Sequence, residues 1–83
     1  MRVYYFAWLR HQIGVPYQDI NLPDGVRTPN ELMNYLCRLS SSHAKAFEAR
    51  EHINIAIDKH YAGPRDPLQD AKEVAFFPPV TGG

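Results

Sequence analysis

Cysteine is nearly absent from this sequence: Cys37 is the only one in 83 residues. A single thiol excludes an internal disulfide framework and a Cys-rich zinc site. Neither sign of charge is in excess, since nine Lys and Arg balance nine Asp and Glu. That balance argues against nucleic-acid binding as the main task, because affinity for phosphate backbones comes from clustered cations. Long apolar runs are missing too. The run Val3–Leu9 closes at once with Arg10-His11, too short to span a bilayer and without the small-residue cleavage site of a secretory leader. The expectation is a cytoplasmic protein with neither a nucleic-acid nor a membrane partner. There is no Ser/His/Asp triad, phosphate loop or paired-carboxylate spacing, and no internal repeat.

What is there reads as one small domain. Hydrophobic residues make up 45% and charged residues 22%, an ordinary globular balance. A chain of this length buries a thin core and leaves little room for a deep enclosed active site. Arg2 to Leu9 is rich in aromatic and branched residues and predicts a first strand. Val3, Tyr5, Ala7 and Leu9 would lie on one face, and Tyr4, Phe6, Trp8 and Arg10 on the other. Tyr17 to Leu22 alternates and predicts a second strand, with Ile20 and Leu22 inward, closed by Pro23-Asp24-Gly25.

Thr28-Pro29-Asn30-Glu31 is a capping box. The Thr28 hydroxyl accepts from the Glu31 amide, and Glu31 reaches back to the Thr28 amide. Pro29 occupies the first helical position, where its missing donor costs nothing. Leu32, Leu36 and Leu39, with Tyr35 beside them, predict a helix over 29–39 that Ser40-Ser41-Ser42 breaks. A shorter helical turn is expected over 43–49, packing Ala46 or Phe47. Ile53, Ile55 and Ile57 alternate as a half-buried strand. Gly63 to Pro67 is a loop, Leu68 a lone apolar anchor, and Glu73 to Phe77 the last strand, ended by Pro78-Pro79. Strand, strand, helix, strand, strand is an α+β order, and the β-grasp is its commonest small form. The two terminal strands would lie side by side at the sheet centre. The expected organisation is a β-grasp domain over 1–77 and an extended, flexible tail over 78–83.

The tail is where chemistry is expected. The diproline favours a stiff polyproline II exit, which at 3.1 Å per residue gives residues 78–83 a reach of roughly 18 Å. Gly82 and Gly83 have no Cβ, so such an end threads a narrow channel and presents its carboxylate unshielded. The run from Glu73 to Gly83 resembles the C-terminus of the small, sulfur-carrying subunits of molybdopterin synthase. Phe6-Ala7 with Arg10 is similar to that family's first strand, and Leu68 with Asp70 to its approach to the last.

The resemblance implies a ubiquitin-like β-grasp and a carrier that is not a catalyst on its own. The Gly83 carboxylate would be adenylated by a ubiquitin-activating-type adenylyltransferase that uses ATP. It would then accept sulfur from a donor acting through that enzyme, and become a thiocarboxylate. Gly82 would help the tail thread into the large catalytic subunit of a heterotetrameric synthase. There the sulfur would pass to a cyclic pyranopterin monophosphate in molybdenum cofactor biosynthesis. The chain itself would bind no cofactor and no metal. The partner surface would comprise Phe6, Trp8, Ala75 and Phe77, which strand parity points away from the helix, Tyr61, where the family more often has an aliphatic residue, and the tail residues Pro78, Pro79, Val80 and Thr81.

Two positions depart from the family pattern: Asp58 stands where asparagine is common, and Ala71-Lys72 replaces a glycine-acid pair. Left-handed backbone at the latter would strain an alanine. Elsewhere the default readings are structural. His11, His43, His52 and His60 show no ligand spacing and read as surface histidines. Cys37 reads as a small buried helix residue with no activating cation nearby. Arg10, Arg38, Lys45 and Arg50 read as solvated helix faces. Three rivals remain open: a sulfur carrier for thiamine, tRNA or a tungsten pterin; a protein modifier joined to lysines through Gly83; and an interaction domain with an inert tail.

Overall fold

The two apolar termini set the architecture. A computed structural model describes residues 1–79. β1 (Arg2–Tyr5) runs parallel to β5 (Glu73–Phe77) at the centre of a five-stranded mixed sheet. β2 (Tyr17–Asp19) flanks β1, while β3 (Asn54–Ile57) and then β4 (His60–Ala62) flank β5, so the order is β2-β1-β5-β3-β4. α1 (Trp8–Ile13), α2 (Pro29–Leu39) and α3 (Ser41–Ala46) complete the fold, with a 3-10 turn over Arg50–His52. This is the α+β, ubiquitin-like β-grasp arrangement.

Strand alternation gives the sheet two unlike faces. Val3, Tyr5, Val74, Phe76 and Ile55 are buried and pack with Leu32, Met33 and Leu36 of α2 and with Ala46 and Phe47. The Phe47 ring meets Phe76 edge-on, 5.1 Å between centroids, a favourable aromatic geometry. The predicted bounds of α2 hold, but its apolar face differs. Met33 is buried, whereas Leu39 is exposed at the end of the helix. The cap differs in one bond. The Thr28 hydroxyl accepts from the Glu31 amide at 3.2 Å, but the Glu31 carboxylate accepts from the Arg27 amide at 2.9 Å, not from that of Thr28. Such caps contribute about 1 kcal/mol. The second short helix begins at Ser41 because Ser40, extended at the end of α2, also caps α3 through the His43 amide.

The first strand is shorter than its apolar run suggests. The chain turns at Ala7, with φ 55° and ψ −132°, and α1 begins at Trp8. The Ala7 carbonyl accepts from the Arg10 and His11 amides, at 3.1 and 3.4 Å. Leu9 enters the core from this helix and not from a strand. A non-glycine residue in such backbone costs about 1–3 kcal/mol. Gly14, left-handed at φ 98°, ends α1, its amide bonding the Arg10 carbonyl at 2.8 Å.

β4 has no counterpart in the predicted order. Its signal was hidden because the turn before it is Asp58-Lys59, with φ 46° and 70°, where glycine or asparagine is usual. Asp58 compensates by binding the next strand. Its carboxylate accepts from the Lys72 and Glu73 amides at 2.9 and 3.0 Å, and its own amide donates to the Glu73 carbonyl at 3.0 Å. Ala71 is spared the expected strain, because the left-handed residue in the approach to β5 is Gln69, φ 45°. Leu68 anchors that approach as expected, buried and with its amide on the Arg27 carbonyl at 2.8 Å.

Three side chains depart from their default readings. His43 is buried, not a surface histidine. Its Nε2 lies 2.7 Å from Gln18 Oε1, which also accepts from the Tyr5 hydroxyl at 2.7 Å. An amide oxygen only accepts, so Nε2 carries the hydrogen, and Nδ1 accepts from the Ser40 hydroxyl at 2.7 Å. Burial lowers the His43 pKa and raises that of Tyr5. Cys37 is half-buried and does face a cation, the Arg50 guanidinium, 3.6 Å from its sulfur. Arg50 also donates to Asn30 at 3.1 Å and Asn34 at 2.7 Å, so it ties the 3-10 turn to α2 and is not simply solvated.

The His43 environment sets a pH dependence. The folded chain holds the imidazole neutral, whereas the unfolded chain takes up its proton near the ordinary histidine pKa of about 6.5. The stabilisation is therefore complete above about pH 6.5 and is lost as pH falls toward the lower folded-state value. Urea midpoints are expected to fall between about pH 7.5 and 5.5, and His43→Gln to flatten that fall. A wild-type midpoint that is level across this range would contradict the assignment.

Candidate functional site

The sheet face opposite α2 carries side chains that the core does not use. The register aligns Tyr17, Tyr4, Ala75, Ala56 and Tyr61 across all five strands in one row. Asn54 pairs with Phe77 in the next row, and the Phe6 amide continues the β1–β5 ladder by donating to the Phe76 carbonyl at 3.1 Å. The rings form two groups. Tyr4 stacks on Phe6 at 6.2 Å and tilts against Tyr17 at 5.9 Å. Tyr61 and Phe77 meet at 5.8 Å on the other side. Between them lie the small residues Ala75 and Ala56, so the face has two aromatic walls and a low centre.

Exposure distinguishes this face from the core. Tyr61 is 83% exposed and Phe6 48%, while Ala75 and Phe77 are half-buried. Parity thus places Phe6, Ala75 and Phe77 correctly, and Tyr61 joins them through β4. Trp8 is also exposed, at 46%, but from the first turn of α1 and not from strand alternation. Large apolar side chains gathered on one exposed face make it the candidate interaction surface. Tyr4 and Tyr17 belong to it as well. The register identifies them, whereas the sequence offered only an alternation in which Tyr4 was one outward residue among four.

Charge borders the aromatic face at one end. Arg2 donates to Asp19 at 2.9 and 3.2 Å, and its guanidinium lies over the Tyr17 ring at 4.1 Å. Arg2 holds the Asp19 carboxyl below its ordinary pKa, and Asp19 raises that of Arg2. The opposite end leads to the C-terminus: Pro78 is half-buried and Pro79 exposed after β5. The expectations for Val80, Thr81, Gly82 and Gly83 lie outside the described residues.

Small-molecule chemistry finds less support on the helix side. One shallow cleft of about 270 Å³ is lined by Asp24, Glu31 and Arg38, and another of about 210 Å³ by Met33, Arg50 and Ile55. Ligand pockets usually occupy roughly 300–1,000 Å³. Among the described residues no three His, Cys, Asp or Glu side chains gather as a metal site, and no helix is long and apolar enough to cross a membrane.

Known proteins share both the sequence and this layout. Residues 3–83 match the ThiS family. The molybdopterin synthase sulfur carrier subunit of Chlamydomonas reinhardtii is 32% identical over 85 residues, covering 100% of this chain and 98% of its own. That of Haemophilus influenzae is 32% identical over 83 residues, covering 100% and 99%. Among solved structures, SAMP1 from Haloferax volcanii, the small archaeal modifier protein 1, superposes with a TM-score of 0.72 at 27% identity, covering 100% of this chain and 98% of its own. The match along the full chain, on the β-grasp just described, establishes that the protein belongs to the ThiS family of sulfur carriers.

Proposed function

We propose that this chain is the sulfur-carrier subunit of a molybdopterin synthase. The observation that supports this most is an uncovered aromatic face on the strand that leads to the C-terminus, in a chain whose full-length relatives carry that name. The large catalytic subunit docks on Phe6, Trp8, Tyr61, Ala75 and Phe77. Pro78 and Pro79 direct the segment Val80-Thr81-Gly82-Gly83 into its active site.

The chemistry resides in one carboxylate. A carboxylate is a poor electrophile until one oxygen becomes a leaving group. An activating enzyme of the ubiquitin type joins the Gly83 carboxylate to the AMP moiety of ATP, and pyrophosphate leaves. A donor sulfur then attacks the acyl carbon, AMP departs, and one sulfur replaces one oxygen. The resulting thiocarboxylate is a soft, readily ionised nucleophile. The large subunit orients it on a cyclic pyranopterin monophosphate, so that a bimolecular step proceeds within a complex. ATP is consumed by the activating enzyme; this chain supplies the reactive atom and the docking face.

A second reading has a specific observation behind it, the likeness to the archaeal modifier protein. Under it, the activated Gly83 is captured by a lysine amine and not by sulfur. The signature is a ladder of higher-mass conjugates in lysate.

Two outcomes follow from the carrier reading. After incubation with ATP, the activating enzyme and a sulfur donor, intact-protein mass spectrometry should show one oxygen replaced by sulfur. Deleting Gly83 should abolish the change while leaving the fold intact; an unchanged wild-type mass, with the same enzyme charging a known carrier, would count against it. Phe77→Ala should weaken binding to the large subunit by about 2 kcal/mol, roughly 30-fold, and cost less than that in stability. Unfolding with unaltered affinity would make Phe77 a core residue.

A further inference from the structure

We propose that Ala7 is a positioning residue for the partner contact, holding Phe6 and Trp8 outward by a backbone turn that only a fixed conformation maintains. The inference rests on the docking reading above. Phe6, Ala7 and Trp8 are three consecutive exposed apolar residues, between the buried Tyr5 and the buried Leu9. At their centre Ala7 adopts φ 55° and ψ −132°, backbone that glycine enters freely and L-alanine does not.

Both sides of the turn are tied down. On the strand side, the Tyr5 amide donates to the Pro16 carbonyl at 2.9 Å and the Phe6 amide to Phe76 at 3.1 Å. On the helix side, the Ala7 carbonyl receives the Arg10 and His11 amides, and Leu9 is locked in the core. The reversal is therefore confined to one residue. Stability alone would favour glycine there, because it relieves the strain. Glycine would also free the corner to swing, so that Phe6 and Trp8 would have to be reordered on each encounter. A residue held in one conformation removes that cost before binding.

Two replacements separate strain from rigidity. Ala7→Gly relieves the strain and loosens the corner. A synthetic chain with D-alanine at position 7 relieves the strain and keeps the corner fixed, since φ 55°, ψ −132° is the mirror image of an ordinary extended conformation. Both should melt a few degrees above wild type. Binding to the large subunit by calorimetry should weaken about threefold in the glycine variant and stay at the wild-type value in the D-alanine chain. A merely structural role would raise the melting temperature without moving the affinity, so glycine and D-alanine proteins that both bind like wild type would overturn the proposal. Phe77→Ala, measured alongside, tests the docking reading separately. If it binds like wild type, docking on this face fails and the proposal falls with it; if it binds more weakly, the Ala7 comparison decides the proposal alone.

Discussion

Parallel strands cannot be joined by a tight turn, so the pairing of β1 with β5 obliges the intervening chain to cross one face of the sheet, which its helices do while β2, β3 and β4 widen the sheet on either side. That crossing brings α2 and α3 over Val3, Tyr5, Val74 and Phe76. The opposite face, with Tyr4, Ala75 and Phe77 on the same two strands, receives no helix among the described residues. Each central strand is therefore core on one side and surface on the other, residue by residue. β5 is the middle strand of the five and is paired on both sides up to Phe77.

The smaller features serve this division. Asp58 binds the start of β5 through two backbone amides, and this fixes the register that carries Phe76 inward and Phe77 outward. The part-buried hydrogen-bond chain from Ser40 through His43 and Gln18 to Tyr5 fastens α3 to the edge strand β2. Arg2 and Asp19, at the surface, close the end of the face far from the C-terminus. Strain appears at Ala7, where the fold demands a reversal that its residue resists.

Much of this was legible in the sequence, for physical reasons. The α2 boundaries were readable because a proline and a capping threonine act locally. The two faces of β5 were readable because alternation has a period of two whatever the partner strand. Four features were not. The early end of β1 is hidden because Trp8 and Leu9 suit a strand as well as a helix, and the ladder stops only at the reversal of Ala7. β4 was hidden by a turn without glycine. The burial of His43 is hidden because it depends on Gln18, 25 residues away, turning inward. Cys37 acquired its cation from Arg50, across a helix boundary that spacing alone does not span.

One sheet face holds the core, and under the proposed function the other receives the large subunit. Chemical-shift mapping of the labelled chain, with and without the large subunit of molybdopterin synthase, tests it directly. Changes are expected at Tyr4, Phe6, Ala56, Tyr61, Ala75 and Phe77, and little at Asn34, Arg38 and Lys45. Changes concentrated on α2 and α3, with the aromatic face silent, would contradict it.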